Sequence, residues 1–415
     1  MRKFLVLGVI LGILVFSIVA WAGPVTINVI GMQQAAMTVD EMKQVAKEFE
    51  EKNPGIKVNL TFVGYDALHD KIATAMAGGA ASYDAVLVDD IWYAEFAEAG
   101  WLWDVTSKIT KEMKEDIGPA GWEIVTYKNK VWGMPWLLDA EYFFYNEEML
   151  KKAGFSAPPK TWQELEQQAK VMKAKGIVEY PIIWSWSQNE CSVCDFVAIL
   201  YGFGGKFFDE NNNPVFNDAH GVNALSWMVK TLREGISNPS STVSTEEEVR
   251  LTFSQGKAAY ALNWLYMYDL ANDPKESKVA GKVKMSLVPS GSKNIVSSTI
   301  NGSMGYSVAA TSKHKEEAWK FILYLTSKDV QKRYSAHMLP IWKSLANDPE
   351  LIKLQPVTLP MFAKQWPYAH VRPKVPYYPE ASKILQVALQ KAFTGKLSPK
   401  KALDEAAKKI KEIQY

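Results

Sequence analysis

Carboxylates and aromatic rings recur side by side along this chain, and that pairing suits the capture of a polyhydroxylated ligand. Asp89 and Asp90 precede Trp92; Asp139 and Glu141 lie between Trp136 and the run Tyr142, Phe143, Phe144, Tyr145; Trp264 is followed by Tyr266. An aromatic face can cover the apolar C–H face of a sugar, while a carboxylate accepts hydrogen bonds from its hydroxyls. Isolated acids do not suit a core, because a buried charge needs a partner. The plainer alternative is a strand entering a core with two solvated acids at its mouth.

The same residue types would serve a secreted glycosidase, with Asp139 and Asp89 as acid and nucleophile or base; such an enzyme needs one acid with a raised pKa in an apolar pocket. A third reading rests on the two cysteines, Cys191 and Cys194. In a cytosolic chain this C-x-x-C spacing would point to redox or metal chemistry, whereas in an exported one a short local disulfide is the simpler expectation. The five histidines are scattered, which does not favour a zinc site. The chain carries no P-loop, Gly-x-Ser-x-Gly elbow or H-E-x-x-H helix. No cofactor and no metal are expected.

The elements that must position these groups follow from periodicity. Residues 25–30 alternate as a strand; Thr38 with Glu41 forms a capping box, and Met42, Val45, Ala46 and Phe49 mark one helix face that Asn53-Pro54-Gly55 terminates. Strands are expected at 56–62 and 83–89, so the first half reads as α/β with a mostly parallel sheet. Ligands of such sheets sit beyond the carboxyl ends of strands, which singles out Gln33, Gln34, Tyr65, Asp89, Asp90 and Trp92. One of Asp89 and Asp90 is expected to cap the next helix and the other to face a cleft.

Farther on, Thr161 with Glu164 opens a helix to about 174, and 181–186 reads as a strand with Trp184 and Trp186 on one face. A helix capped by Ser244 with Glu247 precedes a strand at 258–263 that ends at Trp264 and Tyr266. Further strands are expected at 283–289 and 306–310. Residues 356–379, with Trp366 and Arg372, read as irregular, and Ser398 with Pro399 starts the last helix.

With 415 residues, 48% of them hydrophobic, the chain can bury a large core in two domains. Net charge is +2, with Arg2 and Lys3 in the leader, so no basic stripe for nucleic acid is present. Residues 1–22 read as a signal peptide: Arg2-Lys3, an apolar run, then Ala20-Trp21-Ala22 before Gly23. An uncleaved membrane anchor is the alternative. The mature chain is expected to be soluble and exported, periplasmic or extracellular.

In order along the whole length, these segments resemble the extracellular solute-binding proteins of carbohydrate ABC transporters, the family that includes maltose- and trehalose/maltose-binding proteins. FEEKNPGIKVNLTFV (49–63), YDAVLVDDIWYAEFAEAGWLWDVT (83–106), VWGMPWLLDAEYFFYNEEMLKKAG (131–154), FSQGKAAYALNW (253–264) and NGSMGYSVAATSKHKEEAWKFILYLTS (301–327) carry the resemblance. It implies a two-lobed α/β fold, with 23–138 plus 288–340 as one lobe and 139–287 plus 341–415 as the other. It further implies a monomer that traps a neutral sugar by hinge closure and presents it to membrane permease subunits, without catalysis. Asp89 or Asp90, Asp139, Trp264, Tyr266, Trp366 and Arg372 match positions that contact sugar in the family. Asn301-Gly302-Ser303 replaces a glycine-glycine or glycine-tryptophan, and Gln33-Gln34 replaces an acid. Trp184, Trp186 and Glu190 are singled out from the residues alone.

Overall fold

Two sheets, each flanked by helices, are joined by chain segments that run side by side between them. The computed structural model describes residues 23–33, 37–334 and 338–414; the expected signal peptide and Gln34 lie outside them. The first sheet has five strands in the order Ile56–Val63, Val25–Met32, Ala85–Asp89, Met304–Val308, Met134–Leu137. The second has four, in the order Val283–Ser286, Glu141–Asn146, Tyr260–Trp264, Ile182–Ile183.

The expectation of mostly parallel sheets is corrected by the pairing. Val25–Met32 runs parallel to both neighbours, but Met304–Val308 is antiparallel to each of its own. In the second sheet only Ile182–Ile183 pairs in parallel. Strands that return from the other lobe reverse direction, and nothing local in the sequence records that.

Local signals were followed closely. Thr38 and Glu41 make their reciprocal capping box, and the helix Val39–Lys52 buries Met42, Val45, Ala46 and Phe49. Phe49 meets Phe321 edge-on, with ring centroids 5.2 Å apart. Tyr142, Phe143 and Phe144 are fully buried in the second sheet, and Asn146 then caps the helix Glu147–Ala153. Thr161 caps the helix Trp162–Ala174, although the Glu164 carboxylate reaches back to the Lys160 N–H instead of closing a box.

Other expectations shift. The expected strand at 181–186 is reduced to Ile182–Ile183. The capping box expected at Ser244 and Glu247 lies one residue later, at Thr245 and Glu248, and opens the helix Glu246–Ser254. Residues 356–379 are not irregular: they contain the helix Thr358–Gln365, whose proline at 360 falls in the first turn, where no N–H is needed.

The chain passes between lobes at Asp139–Ala140, at Asn301–Gly302 and again near His370–Arg372. These crossings are laced together: Asn301 N–H donates to His370 O (2.9 Å) and Gly302 N–H to Asp139 O (3.1 Å). Two of the expected lobe boundaries need correction. Residues 288–298 pack on the second lobe, through the Ser290–Thr161 bridge and Ser298 Oγ on Ala198 O. Residues just after 340 stay with the first lobe, where Trp342 bridges Ile117 and Ser344 binds Asp116. Backbone pairing, not sequence adjacency, sets both boundaries.

Candidate functional site

A cavity of about 810 Å³ lies between the lobes. Its wall is built from strand ends and from the first turns of four helices: Val39–Lys52, Tyr65–Ala77, Glu190–Gly202 and Glu246–Ser254. Met32 ends one first-lobe strand and Gln33 follows it, Tyr65 follows another, and Asp89 ends a third. Trp264 ends the facing second-lobe strand, with Tyr266 just beyond it. In the first lobe the residues singled out by the parallel-sheet rule thus meet at the cavity, apart from Asp90 and Trp92 and with Gln34 outside the described residues.

Arg372 organises the charge. Its side chain is 2% exposed, and Nη2 donates to Asp89 Oδ1 (3.1 Å) and Asp90 Oδ1 (2.8 Å), while Nη1 donates to Glu190 Oε1 (2.9 Å). Burial opposes the guanidinium charge, yet the surrounding Asp89, Asp90 and Glu190 carboxylates hold it ionised. Asp89 does both jobs that were expected to be shared with its neighbour. Its Oδ1 accepts from Ile91 N–H and its Oδ2 accepts from the Tyr65 hydroxyl at 2.7 Å. Tyr65 in turn stacks on Trp92, centroids 5.5 Å apart. One ring therefore faces the cavity and the other backs it.

Asp139 lines the same cavity, 8% exposed, with Oδ1 accepting from the Ala140 N–H (2.8 Å). Burial pushes its carboxyl up to about 8. Glu246 is also raised by burial, and its Oε1 accepts from the Trp264 indole N–H at 3.3 Å. The Trp264 ring is partly exposed and lies against Gly302. The arrangement presents aromatic faces, carboxylate acceptors and a single guanidinium to the same space.

Of the residues singled out in the sequence, Gln33, Tyr65, Asp89, Asp139, Trp264, Tyr266, Gly302 and Arg372 line the cavity, as do Glu190, Cys191 and Cys194. Others do not. Asp90 is fully buried against Arg372, and Trp92 sits behind Tyr65. Glu141 is buried beneath the cavity, where burial and the neighbouring Asp195 push its carboxyl well up. Trp184 and Trp186 do share a face, but they stack on each other (5.1 Å) inside a core with Trp162, Trp227 and Phe393. Asn301 is buried in the hinge, its Oδ1 accepting from Ser303 N–H. Trp366 packs on Phe362, away from the cavity.

The expected disulfide is also corrected: Cys191 and Cys194 are separate buried thiols in the first two turns of their helix. Burial pushes both thiols up, which makes them poor thiolates. Sequence reasoning missed Asp66, Asn189 and Glu246, each in or just before the first turn of a helix that meets the cavity. Their signal was the caps themselves; reading the 245–248 box one residue early hid Glu246. Among the described residues, no cluster of His, Cys, Asp and Glu could hold a metal, and no helix is long and apolar enough to cross a membrane.

A family model described as bacterial extracellular solute-binding protein matches residues 35–332. MalE3 of T. maritima, solved with maltose bound, is similar over 94% of this chain and 100% of its own, with a TM-score of 0.87 and 28% identity. An ABC transporter solute-binding protein of Thermotoga lettingae, solved with α-D-tagatose, covers 94% of this chain and 99% of its own, with a TM-score of 0.85 and 28% identity. A mannitol-binding protein of Pseudomonas aeruginosa is 23% identical over 69% of this chain and 66% of its own.

Proposed function

The chain belongs to the bacterial extracellular solute-binding protein family, and on that premise we propose that it captures a neutral di- or oligosaccharide of the trehalose, maltose or glucose class in the inter-lobe cavity. It is a sugar- or polyol-binding component of an ABC transporter, and its family works by binding without catalysis, so the glycosidase reading is set aside. The single observation that carries the finer reading is the joining of Trp264, Tyr266 and Tyr65 with Asp89, Asp139 and Glu246 around one cavity.

Its volume of about 810 Å³ lies in the upper part of the range typical of small-molecule sites, roughly 300–1,000 Å³, which favours more than one ring. Carboxylates outnumber the one guanidinium on the wall, so phosphorylated and acidic sugars are disfavoured by like-charge repulsion. Contacts made from both lobes stabilise the closed form, and closure is then a population shift driven by the ligand. The protein is proposed to act as an exported monomer, after removal of residues 1–22, and to hand its sugar to membrane permease subunits.

The test is a binding titration of the purified chain against neutral sugars, with glucose 6-phosphate and glucuronate as controls. Saturable binding of a neutral di- or oligosaccharide is expected, and preference for either anion would overturn the assignment.

A further inference from the structure

We infer that Gly302 is a specificity-determining position: the absent side chain seats the Trp264 indole and thereby keeps the cavity wide beside the hinge. The inference rests on the saccharide reading above and extends it to what sets ligand length. A Cβ at 302 would lie 2.3, 2.4 and 3.1 Å from the Cη2, Cζ3 and Cζ2 atoms of Trp264. Carbon atoms pack at roughly 3.5–4.0 Å, so the ring and a side chain at 302 cannot both occupy their places. Gly302 is not among the glycines with positive φ, so close approach, not backbone conformation, is what calls for glycine.

The hinge backbone has little room to yield. Gly302 N–H is bonded to Asp139 O at 3.1 Å, and its neighbour Asn301 N–H to His370 O at 2.9 Å. Ser303 closes the segment from the other side, its N–H on Asn301 Oδ1 (2.9 Å) and its Oγ accepting from Asp139 N–H (3.1 Å). The segment is thus tied to both other crossings. The indole is the part that would move, and moving it stretches the bond from its N–H to Glu246 Oε1, now 3.3 Å. A displaced ring enters the cavity that both residues line. Gly302 is therefore a positioning residue that acts through Trp264, and narrowing at this point takes volume from the cavity, which costs a larger ligand more than a smaller one.

The experiment is a double-mutant cycle on the full mature chain: wild type, Gly302→Ala, Trp264→Ala and the double variant, titrated by calorimetry with maltose and with glucose, each also melted without ligand. Gly302→Ala is expected to weaken maltose by about tenfold or more, and glucose by less, as pocket narrowing does. In the Trp264→Ala background the same change is expected to shift affinity by less than about twofold, because the coupled partner is gone. Unchanged maltose affinity in Gly302→Ala, or equal losses in both backgrounds, would overturn the inference. If Gly302→Ala fails to fold while the double variant folds, the clash is with Trp264 and the inference stands; if both fail, it falls. If the wild type binds neither sugar, maltose and glucose are excluded as its ligands, and the wider sugar panel decides the saccharide reading. The melting cycle then decides this inference separately: non-additive shifts uphold the seat, and additive shifts reject it.

Discussion

Asp139 carries the clearest pH signature at the level of single residues. Burial holds its carboxyl protonated up to about pH 8, against an ordinary value of 3.8. In the unliganded protein the fold therefore binds a proton that the unfolded chain releases, and stability is lost as pH rises from about 4 through 8. Sugar hydroxyls that donate to the ionised carboxylate reverse this preference, so binding expels the proton and affinity is expected to rise between pH 6 and pH 8. Glu246 and Tyr266, which face the same space, are also raised by burial, and Glu246 adds to the slope. Calorimetry across pH checks this: Asp139→Asn should flatten most of the profile and weaken binding roughly tenfold or more. A flat wild-type profile would contradict it.

Two tryptophans, Trp264 at a strand end and Trp186 beyond one, separate site from core. Trp264→Ala is expected to cost about tenfold or more in affinity with a nearly unchanged melting temperature. Trp186→Ala should do the reverse. That ring is sandwiched between Trp184 and Phe393, and its removal is expected to cost about 3–5 kcal/mol of stability while the folded fraction binds normally. Denaturant melts beside titrations distinguish the two. Nothing near Trp184 or Trp186 in the sequence reveals their burial, because the rings that cover them come from 162, 227 and 393. Trp264 was legible because Tyr266 and a strand end accompany it.

At the level of elements, the cavity wall is an assembly of helix starts, and caps that hold those starts also place cavity-facing groups. Thr245 with Glu248 fixes the first turn that carries Glu246. Thr245→Ala is expected to lower stability by about 1 kcal/mol, seen in a denaturant melt, and to weaken sugar binding because Glu246 loses its fixed position. Unaltered affinity would show that the cap serves the helix alone. Caps were the most legible feature of the chain: Thr38 with Glu41 and Ser398 with Pro399 stand where their spacing puts them. Strand direction was not legible. Met304–Val308 reaches the first sheet only after an excursion through the other lobe, so its antiparallel pairing has no local trace. The helix Thr358–Gln365 was hidden by neighbouring prolines, and its role emerges only from Gln365, whose Oε1 accepts from Val288 N–H at 2.9 Å.

For the whole molecule, Arg372 joins the lobes at the cavity wall. It lies on the last crossing and binds Asp89 and Asp90 of one lobe and Glu190 of the other. Lys374, two residues on, donates to the Ile124 carbonyl at the end of the helix Pro119–Val125, where the helix dipole favours a cation. Arg372→Met leaves three carboxylates facing one another without their common partner, and the lobes are expected to separate. Small-angle scattering should then show a larger radius of gyration that sugar no longer reduces, whereas wild type contracts on binding. The two-lobed plan was implied by the family resemblance that the order of segments carries; the crossings near 301 and 370 were not legible, since they are defined by pairing between residues about 70 apart.

The central claim is that the inter-lobe cavity holds a neutral saccharide without altering it. Calorimetric titration of the mature chain with glucose, trehalose, maltose, sucrose, cellobiose, mannobiose and mannitol tests it most directly, with each ligand recovered and identified afterwards. Saturable one-to-one binding of a neutral di- or oligosaccharide, recovered intact and weakened about tenfold or more in Trp264→Ala, is the result predicted. No binding across the neutral sugars, or binding that Trp264→Ala leaves untouched, would contradict it.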